Sequence, residues 1–258
     1  MKIIFTAALL LLSITMPLHA EDKIGVLLMH GKWGTSSENS PIGGLVDFLG
    51  YEGFLVSAPD MPWSRERGLD KSYKDSMLEI NEHVKDLRDK GATRIVVGGH
   101  SMGANAALGY AARYEGVAGV LAIAPGHIPE IKGFQRKMEN DWRRAKHMVD
   151  NGKGQDISEF KDVNQGRQTE KTIQASIYLS WFDPQGSAVM PKNTANLKSD
   201  TPLLWIIGDE DHMFDRGKDY AFNNVPSHQK NLYVVVNGGH KSTPDEGKNE
   251  IIDWLKNL

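Results

Sequence analysis

From residue 23 onward, short apolar runs alternate with longer stretches in which apolar residues recur every three or four positions. The runs at 24–29, 54–58, 94–98, 117–123, 202–207 and 232–236 are dense in Val, Ile and Leu. Several are closed by Gly, Pro or Asp, which lets a chain leave a sheet sharply, so they read as strands buried on both faces. Helical spacing marks 42–49, 72–90, 102–114, 217–223 and 245–257. In the second of these, Met77, Ile80, Val84 and Leu87 share one face, and Lys90-Gly91 closes it. Strand, helix and strand in succession predict an α/β fold: a mostly parallel sheet of about six strands or more, with helices on both faces.

One interval breaks this rhythm. Residues 126–199 carry no clear strand, and so long a stretch is too much for a bare loop. Phe134, Met138, Trp142, Ala145 and Val149 fall close to one helical face, with Arg136, Lys137, Arg143 and Arg144 elsewhere, on a face that reads as solvated. A helical insertion is expected here. It would serve as a lid, because ligands bind at the carboxyl ends of strands in such sheets.

Composition narrows the classes. The chain has 258 residues, 40% hydrophobic and 24% charged, enough for one large core without a second domain. A formal charge of -3 gives no electrostatic reason to expect nucleic acid or an anionic membrane surface as a partner. The absence of cysteine removes disulfides, thiolate metal sites and a cysteine nucleophile. The first twenty residues stand apart: Lys2, the apolar run 3–12, then Pro17 to Ala20 read as a signal peptide cut after Ala20. Export to a periplasm or the medium is the expectation, with 21–258 as the mature domain and no stable membrane insertion after cleavage.

The central chemical signal is Gly99-His100-Ser101-Met102-Gly103, directly after a β-branched strand and directly before an Ala-rich helix. A serine forced into a tight strand-to-helix turn has strained backbone angles and needs small residues two positions either side. Two late strands each end in matching chemistry: Gly208-Asp209-Glu210-Asp211-His212 and Asn237-Gly238-Gly239-His240. Together these pieces resemble the α/β-hydrolase family over essentially the whole mature chain. The resemblance implies a triad in the order serine, acid, histidine: Ser101 as nucleophile, Asp211 as acid and His240 as base. Asp209 and Glu210 are rivals for the acid, and His100 and His212 read as neighbours of the triad rather than members. The resemblance also implies an oxyanion hole from the backbone amides of Met102 and of Lys32, the latter in the turn His30-Gly31-Lys32-Trp33-Gly34. Trp33 and His30 are the substrate-pocket candidates, with bracing of that turn as the other reading of His30.

The expected chemistry is hydrolysis of a small-molecule carboxylic ester through an acyl-enzyme, with no cofactor and no metal. Thioester, amide or peptide and lysophospholipid hydrolysis use the same triad. A non-catalytic binding protein on the same scaffold is the alternative from another class.

Overall fold

The computed structural model describes residues 22–258; the signal-peptide reading falls outside them. In chain order the elements are β1 (Ile24–Met29), α1 (Gly43–Tyr51), β2 (Leu55–Ser57), α2 (Tyr73–Asp89), β3 (Arg94–His100), α3 (Met102–Ala111) and β4 (Gly119–Ile123). An insertion follows: α4 (Lys132–Asp150), β5 (Ile157–Asn164), β6 (Arg167–Gln174), α5 (Ala175–Phe182) and α6 (Met190–Ala195). The chain then returns through β7 (Leu203–Gly208), β8 (Leu232–Val236), α7 (Thr243–Glu246) and α8 (Lys248–Lys256).

Six strands form one sheet in the order β2-β1-β3-β4-β7-β8, every pair parallel. The period of two along each strand divides its side chains between two cores. On β1, Leu27 and Met29 join the layer made by α2 and α3, whereas Val26 and Leu28 face Leu45 and Leu49 of α1 and Ile251 and Leu255 of α8. Met77, Ile80, Val84 and Leu87 of α2 are all buried, as their spacing predicts. Ser72 caps that helix by accepting a hydrogen bond from the Asp75 amide at 3.1 Å. Every residue of α3 is buried, which its alanine and glycine content permits: small side chains let it lie directly against β3 and β4.

Two expectations are corrected. The insertion at 126–199 is not wholly helical, because β5 and β6 form an antiparallel hairpin within it. Its two turn residues, Gln165 and Gly166, both have positive φ (48° and 79°), the geometry of a tight two-residue hairpin turn. No apolar run announced these strands, since only Phe160 and Asp162 along them are fully buried. The second correction concerns 217–223. Short 3-10 turns occupy this stretch, at Phe214–Arg216, Lys218–Tyr220 and Phe222–Asn224, with Gly217 at φ 59° interrupting any continuous helix. Among the described residues, no helix is long and apolar enough to cross a membrane.

Candidate active site

The carboxyl ends of β1, β3, β4, β7 and β8 converge on one cleft. At the end of β3 the chain reverses into α3 through Ser101, whose φ of 56° and ψ of -116° are unfavourable for a residue with a Cβ. That strain persists because the surroundings leave no alternative. A side chain on Gly103 would lie 2.4 Å from the Met29 carbonyl oxygen, and one on Gly99 would lie 2.5 Å from the Gly103 carbonyl carbon. Glycine at both positions lets α3 press against β1, and the serine is left at the tip of the turn.

Asp211 and His240 meet across the ends of β7 and β8. The His240 Nδ1–H donates to Asp211 Oδ2 at 2.7 Å, and the Asp211 side chain is fully buried. The second carboxylate oxygen accepts from the Met213 amide at 2.8 Å and lies 3.2 Å from His212 Nδ1. Burial alone would raise the pKa of Asp211, but the bonds from His240 and the Met213 amide outweigh it and hold the carboxyl below its ordinary value. Its rival Asp209 serves elsewhere: Oδ1 accepts from the Gly238 amide at 2.8 Å and so ties the two loops together. Asp211, His212 and His240 bring metal-ligand-type atoms within 4.8 Å of one another, but both Asp211 oxygens are already engaged by protein donors. His100 packs beneath His240, with ring centroids 4.8 Å apart, and its Nε2–H donates to the His240 carbonyl at 2.7 Å. Burial, reinforced by neighbouring His240, lowers the His100 pKa to about 3, so this support is a neutral imidazole.

Ser101 Oγ and His240 Cε1 both border the space in front of Gly126: a Cβ there would lie 2.7 Å from the first and 3.6 Å from the second. No hydrogen bond joins Ser101 Oγ to the imidazole in this arrangement. The Gly126 amide donates to the Ser101 carbonyl at 3.1 Å, which holds the end of β4 against the serine turn.

The turn after β1 reaches the same point. A Cβ on Gly31 would stand 3.1 Å from Ser101 Cβ, so Lys32 follows immediately beside the serine. Among the described residues, neither the Lys32 nor the Met102 amide donates a hydrogen bond to another protein group, whereas the Trp33 and Gly34 amides are both used. Two unspent N–H groups next to a serine can receive a developing negative charge. His30 braces this turn from below: Nδ1–H donates to the Gly31 carbonyl at 2.8 Å and Nε2 accepts from the Met61 amide at 3.0 Å.

The cleft holds about 550 Å³. Ser101, His240, Lys32 and Met102 line it together, and Ile128, Ile131, Phe134 and Val163 of the insertion supply an apolar wall. Neither substrate-pocket candidate lines it. His30 is enclosed in the bracing network, and Trp33 is turned toward the hairpin, where the Lys171 ammonium lies 5.1 Å from its ring. Sequence reasoning missed Gly126 and His127, which border the cleft on the exit from β4. Their signal was present in Ala124-Pro125-Gly126, since a strand leaving beside the serine turn needs a small residue there. Ala124 (φ 41°) and His127 (φ 63°) are both strained, as befits a loop that must turn away abruptly. His127 is held by a hydrogen bond from Nε2–H to the Trp181 carbonyl at 2.8 Å.

A doubly covered parallel sheet with a glycine-flanked serine turn after its third strand and an acid–histidine pair after its last two defines an α/β-hydrolase. The chain belongs to the family described as serine aminopeptidase, S33, whose profile matches residues 21–246, and it is a hydrolase. Its fold is similar to that of a highly thermostable carboxyl esterase from Bacillus coagulans, at 16% identity and a TM-score of 0.68 over 94% of this chain and 92% of that one. It is also similar to a monoacylglycerol lipase of Paleococcus ferrophilus, at 20% identity and a TM-score of 0.62 over 90% and 93%. The thioesterase domain from the curacin biosynthetic pathway matches at 15% identity and a TM-score of 0.56 over 92% of each chain. No curated protein matches the sequence.

Proposed function

We propose that this hydrolase cleaves carboxylic esters of small molecules, with Ser101 as nucleophile, His240 as general base and Asp211 as its orienting acid. The observation that carries the reading is the buried Asp211–His240 pair, bonded at 2.7 Å, at the same cleft as a strained serine flanked by two unspent amides. Ser101 Oγ attacks the carbonyl carbon while His240 Nε2 takes its proton. The Lys32 and Met102 amides receive the oxyanion, each such donor lowering the barrier by roughly 3 kcal/mol. Collapse of the tetrahedral adduct breaks the ester C–O bond, and the departing alcohol takes the proton from His240. Water then attacks the acyl-enzyme with His240 again as base, releasing the acid and restoring the serine. Asp211, kept ionised by its bonds, holds Nδ1–H so that Nε2 presents its lone pair.

The apolar wall of Ile128, Ile131, Phe134 and Val163 suits the hydrocarbon part of an acyl group, and 550 Å³ suits a short or medium chain. The esterase and lipase among the similar folds support the same substrate class. Export of the mature chain to a periplasm or the medium belongs to this proposal, and an intact mass beginning at Glu21 in the exported protein would test it.

Hydrolysis of p-nitrophenyl esters from acetyl to palmitoyl, by the mature protein and by Ser101→Ala, tests the activity. Serine-dependent turnover with an optimum at short or medium chains is expected. Should the wild type be no faster than Ser101→Ala on every ester, the ester reading fails, and thioester and anilide substrates then distinguish the remaining bond types. Absence of fluorophosphonate labelling at Ser101 would point instead to a binding protein on a hydrolase scaffold.

A further inference from the structure

Lys32 enters the proposed mechanism only through its backbone, yet its side chain is the most tightly held cation near the cleft. Nζ donates to Asp162 Oδ1 of the hairpin at 2.6 Å, with the two side chains only 6% and 2% exposed. It donates again to the Val163 carbonyl at 3.3 Å and lies 5.0 Å from the centre of the Phe182 ring. Two positions along β5, the Asn164 side-chain amide donates to the Lys32 carbonyl at 3.3 Å. One residue of the turn after β1 is thus gripped through its ammonium and its carbonyl, both from a segment some 130 residues away in the chain.

A buried ion pair is a poor source of net stability, because desolvating both charges offsets most of their attraction; what it fixes is relative position. Here what is fixed is the side chain and carbonyl of Lys32, on the far side of its Cα from the Gly31–Lys32 peptide whose amide is aimed at the oxyanion. His30 and Trp63 hold the two peptides that flank Lys32, His30 Nδ1–H donating to the Gly31 carbonyl at 2.8 Å and the Trp33 amide to the Trp63 carbonyl at 2.9 Å, while the Lys32 side chain is held by the hairpin. We propose that Asp162 and Asn164 are positioning residues for the oxyanion hole: His30 holds the Gly31–Lys32 peptide from one side and the hairpin holds the Lys32 side chain and carbonyl from the other, so the amide is fully oriented only when the hairpin is docked. The inference rests on the ester-hydrolase reading above.

The test uses the mature enzyme and p-nitrophenyl esters, with a boronic acid as an inhibitor that forms a tetrahedral adduct. Asp162→Asn and Asn164→Ala should lower kcat by roughly tenfold to a hundredfold with KM little changed, the scale of a small misplacement of a reacting group. Boronic acid affinity should fall in parallel with kcat/KM. The pair replacement Lys32→Met with Asp162→Leu separates positioning from support of the fold. It should restore the melting temperature while leaving kcat low. Recovery of both together, or single variants with wild-type kcat, would overturn the proposal. If Ser101→Ala itself left ester turnover unchanged, the ester-hydrolase reading would fail instead, and the two failures are distinct.

Discussion

Replacing Gly126 by alanine places one methyl group in the gap between the proposed nucleophile, Ser101, and the proposed base, His240. The Cβ would stand 2.7 Å from Ser101 Oγ, where ordinary contact begins at 3.4 Å, so the hydroxyl must withdraw by roughly 0.7 Å. Gly126 is not among the glycines with positive φ, and the other near atoms are Ser101 Cα at 3.5 Å and His240 Cε1 at 3.6 Å, both tolerable. The methyl group therefore meets one movable atom and no backbone it must displace. Misplacing a reacting group by about an ångström costs on the order of a hundredfold, so kcat/KM should fall about 30- to 100-fold, or about 2–3 kcal/mol of barrier. Gly103→Ala provides the contrast. Its Cβ would meet the Met29 and His30 carbonyl oxygens at 2.4 and 2.7 Å, which forces α3 away from β1. That change should destabilise the fold by at least roughly 1–3 kcal/mol. Ester turnover and thermal melting of both variants, measured side by side, decide the matter. A Gly126→Ala enzyme within threefold of wild type, or one whose melting temperature falls as far as that of Gly103→Ala, would refute this account of the gap.

Asp211→Asn should cost on the order of 10³–10⁴ in kcat, and Asp209→Asn no more than about tenfold, because only the former removes the partner of His240 Nδ1; steady-state kinetics on one ester separates them. The folded-state pKa of His100 is depressed to about 3 from 6.5, so the unfolded chain takes up a proton first as pH falls and stability is lost between those values. By pH 5 the loss from this group is about 2 kcal/mol. His100→Gln keeps a donor for the His240 carbonyl and should flatten that part of the profile in urea titrations; a wild-type-minus-variant difference independent of pH would remove the burial explanation. Phe134→Ala opens the apolar wall and should move the acyl-chain optimum toward longer esters, which the same p-nitrophenyl series reads directly.

The elements that carry the triad candidates were legible because each is an apolar strand followed by a glycine-bearing exit. β3, β7 and β8 announce themselves as apolar runs, and Ser101, Asp211 and His240 stand one, three and four positions after them. The choice of Asp211 over Asp209 follows in the structure from direction, since Asp211 points into the protein to His240 and Asp209 across to the Gly238 amide. What escaped the sequence lies where pattern is weakest. The hairpin has only Phe160 and Asp162 fully buried among its sixteen strand positions, so neither period-two alternation nor an apolar run could mark it. Its clue was the two-residue turn at Gln165-Gly166. Trp33 was misplaced because a tryptophan after a glycine says nothing about which way the turn faces, and its φ of 56° directs it outward to Lys171. Partners such as Asp162 for Lys32 depend on a contact across 130 positions, which no local pattern encodes.

β8, which delivers His240, is the outermost strand of the sheet: it bonds to β7 alone, and Leu232 and Val235 are 43% and 47% exposed. The serine, by contrast, follows an inner strand enclosed on both faces. Edge ladders open at lower free energy than central ones, and their amides exchange with solvent first. The proposed nucleophile therefore follows an inner strand and the proposed base an edge strand, which by this rule opens sooner. If Ser101 and His240 act as proposed, warming or mild denaturant would fray His240 away from an intact Ser101 turn, so turnover would disappear while the centre of the sheet is still protected from exchange. Heat inactivation of this enzyme is then a report on its rim, reversible for as long as the core endures.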